Sequence, residues 1–119
     1  MSAKTLCLLL ALSFLSSILQ PSDPLKDFST VAESSGYSRT SGHAEVMSLV
    51  QRLQASSSRV RVIHMATSTE GRVIPLVVVS RDGIASPATM RLDNRSCVLI
   101  NANIHAGEVE GKAASLMLI

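Results

Sequence analysis

The chain has 119 residues, enough for one domain and not for two. Hydrophobic residues make up 46% of it, but aromatics only 3%, with no Trp, so a core must be built from Val, Leu, Ile, Met and Ala. A formal net charge of +2, without a basic run or aromatic–basic interleaving, argues against nucleic acid or an anionic membrane surface as a partner.

Residues 1–20 read as a secretory signal peptide. Lys4 supplies the positive start, and Leu6 to Leu15 is an apolar run too short to span a bilayer. Ser16, Ser17 and Pro21 break that run. No clean small-x-small cleavage site follows, so the cut position stays open; a buried N-terminal helix is the alternative. Cys7 lacks lipoprotein-like neighbours. The expectation is a secreted or periplasmic product with no stable membrane anchor. If Cys7 leaves with the signal, Cys97 is alone and no internal disulfide forms.

Residues 21–40 are polar, contain Pro21, Pro24 and Gly36, and read as a loosely structured lead-in segment. After Ser41, the residues Val46, Leu49, Val50 and Leu53 fall at i, i+3, i+4 and i+7, one face of a helix. Glu45, Gln51, Arg52 and Gln54 take the other face, and Ser56-Ser57-Ser58 ends it.

Arg59 to Met65 is rich in β-branched residues and reads as a strand, followed by a turn over Ala66 to Gly71. Val73 to Ser80 is a second strand, apolar enough to be buried on both faces. Pro75 removes one ladder donor and suggests an edge position. The two strands should pair antiparallel. Arg81 to Ser96 is a connection containing Gly83, Pro87 and Asn94. Cys97 to Asn103 is expected to be a third strand, with Cys97 a buried small hydrophobe.

That strand runs into His105-Ala-Gly-Glu108. Zinc takes imidazole nitrogen and carboxylate oxygen in a compact set, and residues three apart at a strand–helix junction can point the same way. Gly107 is read as letting the chain turn sharply. Glu108 suits a first helical turn, where the helix dipole favours a carboxylate. His-x-x-Glu alone is a weak motif, and a solvated acidic helix start explains Glu108 and Glu110 without metal. Val109, Ala113, Ala114, Leu116 and Met117 suit a core-facing helix. Its last residues, Leu116-Met-Leu-Ile119, offer no C-cap, so the reading is a domain represented only by its N-terminal part.

From about Tyr37 to Ile119 the chain resembles the N-terminal part of the zinc carboxypeptidases, the carboxypeptidase A-like metallopeptidases. The helix Ala44 to Leu53 matches the family's early helix. Ser68-Thr-Glu70-Gly71-Arg72 resembles its Ser-x-Glu-Gly-Arg turn between two strands. Asn103-Ile-His105-Ala-Gly-Glu108 resembles its first zinc motif, and the Val-Glu-Gly-Lys that follows is similar to the secreted bacterial-type members. The two motifs in order, about 35 residues apart, are far more specific than either alone. Ala66 stands where the turn usually begins with Gly.

The resemblance implies an α/β fold with a mixed central sheet flanked by helices, of the zinc carboxypeptidase and phosphorylase/hydrolase type. Residues 41–119 would be its truncated N-terminal portion. It implies His105 and Glu108 as ligands of one zinc ion, a peptide or protein substrate, and hydrolysis of peptide bonds at C-termini. The family's third ligand, a His, and its catalytic Glu, carboxylate-binding arginines and gating Tyr have no counterpart here. No catalytic residue is therefore assigned, and residues 21–119 alone are expected to be inactive. His43 and His64 read as structural or solvated, Glu70 and Arg72 as fixing the turn, and Arg91, Asn94 and Arg95 as solvated. The alternatives are a related zinc deacylase of N-acyl amino acids, whose motif more often reads His-Gly-x-Glu, and a non-catalytic secreted remnant.

Overall fold

In the computed structural model, residues 28–83, 86–92 and 96–119 are described. The signal read over residues 1–20, Cys7, residues 21–27 of the lead-in, Asn94 and Arg95 lie outside them. The described end of the lead-in is more ordered than its composition suggests. Thr30 Oγ1 accepts from Glu33 N at 3.2 Å, and Glu33 Oε2 accepts from Thr30 N at 2.8 Å, a reciprocal capping box. It starts a single helical turn, α1 (Val31–Ser34), and Thr30 and Ala32 are buried. Gly36 and Tyr37, both at positive φ, end it. Four residues show no periodicity, so the legible signal there is the Thr-x-x-Glu cap.

The amphipathic pattern around Val46 becomes α2 (His43–Ser56). Gly42 is its N-cap, and Glu45 Oε2 accepts from Gly42 N at 2.7 Å. Glycine has no side chain to return the bond, so only half of a capping box forms. Leu49 and Val50 are buried from this face, with Val46 and Leu53 packed beside them.

The two predicted strands form the antiparallel pair β1 (Val60–Thr67) and β2 (Val73–Val79). Val60 faces Val79, and His64 faces Pro75. The register then shifts between His64 and Ala66, so Met65 has no partner across the ladder. The irregularity sits where Pro75 has no N–H to offer. The connecting turn is closed by Ser68 N to Arg72 O at 2.8 Å and Gly71 N to Ser68 O at 2.9 Å, with Gly71 at φ 76°. Glu70 and Arg72 form an exposed 2.9 Å ion pair across it, the turn-fixing part read for them. The outer edge of β1 is tied to α2 by Val62 N donating to Gln54 Oε1 at 2.6 Å.

The expected third strand is not formed. Among the described residues the sheet has two strands, and Cys97 to Asn103 carries no regular structure. Val98 is 82% exposed and Leu99 79%, and Cys97 is exposed rather than a buried hydrophobe. A strand is stabilised by cross-strand partners and by layers covering its faces, and this run has neither. The same shortage corrects the reading of β2. Its residues are half-buried or exposed, because a two-stranded ribbon covers one side of each strand at most.

Within the connection, Pro87 opens a short helix, α3 (Pro87–Leu92), at the position where its missing N–H costs nothing. The last helix, α4 (Val109–Leu118), buries Leu116 against Leu49 and Val50, with Phe28, Val62 and Val77 packed around them. Ala114 and Met117, read as core-facing, are exposed. Lys112 Nζ donates to Ser41 O at 2.5 Å and ties α4 to the start of α2. The result is a small mixed α/β unit, and the full sheet expected from the sequence is not present in it.

Gly83 has φ 68°, and a Cβ there would lie 2.5 Å from Ser58 O, a backbone atom that cannot step aside. Gly83→Ala should lower stability by about 2 kcal/mol or more in urea denaturation. Gly36→Ala, at φ 60° with nothing within 4 Å, should cost about 1 kcal/mol. Separately, the Thr30 backbone N–H, and then its hydroxyl, hold the Glu33 carboxyl below its ordinary value. The folded value is the lower one, so this stability is present above the unfolded value and lost as pH falls through the folded value. Glu33→Gln should flatten the acid limb of the urea-midpoint profile.

Candidate metal centre

The apolar run from Val98 ends at Asn103, which is in the left-handed region at φ 60°. Asparagine is among the few non-glycine residues that take this conformation readily. Two residues later the chain closes a tight turn, with Glu108 N donating to His105 O at 3.1 Å and Val109 N to Gly107 O at 3.1 Å. Glu108 is then the N-cap residue of α4. The helix is held in place near this end. Gly111 lies against Ala102, where an added Cβ would meet Ala102 Cβ at 3.4 Å, and Lys112 reaches Ser41. The contacts that place α4 therefore also place Glu108.

The outcome is one imidazole and one carboxylate brought together. His105 Nδ1 and Glu108 Oε1 are 2.7 Å apart, and His105 N donates to Glu108 Oε2 at 3.4 Å. The side chains are 80% and 56% exposed, so the pair adds little to stability and both groups are open to a ligand from solvent. At 2.7 Å the nitrogen and the oxygen hydrogen-bond directly to each other, so the two donors are neighbours. Zinc binds such atoms at about 2.0–2.2 Å, which sets two ligands of one tetrahedral ion about 3.4 Å apart, so the donor chemistry fits and the two atoms would part and turn toward the ion to hold it. Among the described residues no group of three His, Cys, Asp or Glu side chains is gathered, so the pair has no third such neighbour there.

The other candidates lie elsewhere. His43 opens α2, and its Nε2 is 2.7 Å from Val73 O, joining helix to hairpin. His64 Nε2 is 2.8 Å from Thr67 Oγ1 within β1. Arg91 is exposed on α3, and Glu110 is exposed in the first turn of α4. Gly107 differs from its reading: its φ is not in the left-handed region and nothing lies within 4 Å of where its Cβ would be. The special backbone position is Asn103, which the sequence reading passed over as part of a strand. The signal for it was an Asn closing an apolar run just before the motif.

A family model described as zinc carboxypeptidase matches residues 46–119, more than half of the chain. No curated protein and no solved structure matches it. The match begins within α2 and takes in the hairpin and the His105–Glu108 pair. Because Gly107 needs neither a positive φ nor empty space, Gly107→Ala should leave urea stability unchanged or raise it by up to about 1 kcal/mol. A clear loss of stability would show that the turn depends on glycine after all.

Proposed function

The chain belongs to the zinc carboxypeptidase family, and from that membership we propose that His105 and Glu108 are two ligands of a single zinc ion serving the hydrolysis of peptide bonds at C-termini. The 2.7 Å approach of His105 Nδ1 to Glu108 Oε1 at the start of α4 is the observation that supports this most directly. Zinc bound at such a site polarises a scissile carbonyl and lowers the pKa of a water molecule. His105 contributes a neutral nitrogen donor, and Glu108 contributes negative charge to offset that of the cation. α4, anchored through Leu116 and Lys112, places the backbone of Glu108.

Two protein donors fall short of the three that hold a catalytic zinc. The remaining ligand, a general base and the groups that bind a peptide's terminal carboxylate would come from outside the described residues. On this reading the chain by itself binds zinc weakly and does not hydrolyse peptides. The substrate is a peptide or protein, and the signal read over residues 1–20 would send the product out of the cytoplasm, to the periplasm or beyond the cell.

Zinc affinity of the purified chain, measured by competition with a chromophoric chelator, tests the ligand assignment. A single weak site is expected. His105→Ala together with Glu108→Ala should weaken it by roughly 100-fold or more. Zinc uptake that survives the double substitution would overturn the assignment, and chelator-sensitive cleavage of a peptide by the unaltered chain would overturn the expected lack of activity.

A further inference from the structure

Asn103 does nothing visible with its side chain. Its Oδ1 is buried and has no hydrogen-bond partner, although the residue sits two positions before His105. A buried acceptor without a partner costs stability rather than adding it. What Asn103 does contribute is a backbone at φ 60°, one of two non-glycine residues with positive φ among those described. The other, Tyr37, follows Gly36 at the end of α1. At Asn103 the unstructured apolar run changes direction and enters the turn that carries His105.

We infer that Asn103 is a positioning residue whose left-handed backbone aims His105 at Glu108. Glu108 is already placed from the other side, by α4 and its contacts with Ala102 and Ser41. His105 is mostly exposed, and its one hydrogen-bonded side-chain partner is Glu108 itself. Its direction is therefore set mainly by the backbone that leads to it. In an exposed turn of this kind, the fraction of molecules with residue 103 in the left-handed region sets the fraction with a formed pair. Apparent affinity for a ligand of the pair falls in proportion to that fraction. An ordinary L-residue populates this region about tenfold less than one that tolerates it, and a β-branched residue is the least tolerant. Glycine enters it freely and also removes the orphaned oxygen.

The zinc part of this inference rests on the ligand assignment above; the backbone part does not. The test compares the full chain with Asn103→Gly and Asn103→Val. In metal-free protein, NMR cross-peaks between the His105 ring and the Glu108 side chain report the pair directly. They should persist in the glycine variant and fade in the valine variant. Zinc affinity should follow, within about threefold for glycine and about tenfold weaker for valine. The urea midpoint should fall modestly in the valine variant with the folded far-UV signal retained, which separates aiming from general loss of structure. Cross-peaks that survive in the valine variant, or that are lost equally in both, would overturn the proposal. If the cross-peaks behave as expected but zinc does not depend on His105 and Glu108, Asn103 still aims the pair, and the ligand assignment alone has failed.

Discussion

The face of α2 that carries Leu49 and Val50 is where β1, β2 and α4 meet. Fully burying a side chain of this kind contributes about 1.5–3 kcal/mol, and these two are among the few deeply buried groups in the described structure. β1 reaches them through Val62, β2 through Val77, and α4 through Leu116. With no Trp and a single Tyr, which is exposed, Phe28 is the one aromatic among the described residues that packs against this core. The position of α4, and with it that of Glu108, depends on this small aliphatic contact.

The core is small because much of the apolar sequence is not in it. Val98, Leu99, Ile100 and Ile104 are all exposed, and β2 is only half covered. A run of this composition is stable in water only when strands lie beside it and layers lie over it. The hairpin supplies neither, since β1 and β2 pair with each other and β1 is held to α2 through Gln54. The missing ladder bonds and the exposed side chains have the same cause: strand formation is non-local, and its partners must be present for it to occur.

The His105–Glu108 pair behaves differently because it is assembled locally. Only Ala106 and Gly107 separate His105 from Glu108, and a turn closed by two backbone hydrogen bonds brings them together without help from a sheet. The helix start sets one side of the pair and the Asn103 backbone the other. The family match spans these two residues, and the turn brings them together even though the sheet among the described residues is incomplete. The other histidines show the contrast: His43 and His64 each have a nearby oxygen partner in or beside the hairpin, and neither approaches the pair.

Residue order alone was enough for features with short range. These include the amphipathic period of α2, the antiparallel hairpin, the turn that joins its strands, and the His105–Glu108 spacing. Each depends on neighbours a few residues away or on a period carried by the side chains themselves. Burial was not legible in this way. Cys97 and the run after it have the composition of a core strand, and β2 that of a strand covered on both faces, yet composition cannot say whether a partner is there to cover them. Nor could it say that Asn103 rather than Gly107 carries the left-handed turn, because backbone dihedrals at a junction are set by how the flanking segments must meet. Here that meeting is between the start of α4 and the segment ending at Ala102, and it is decided by packing.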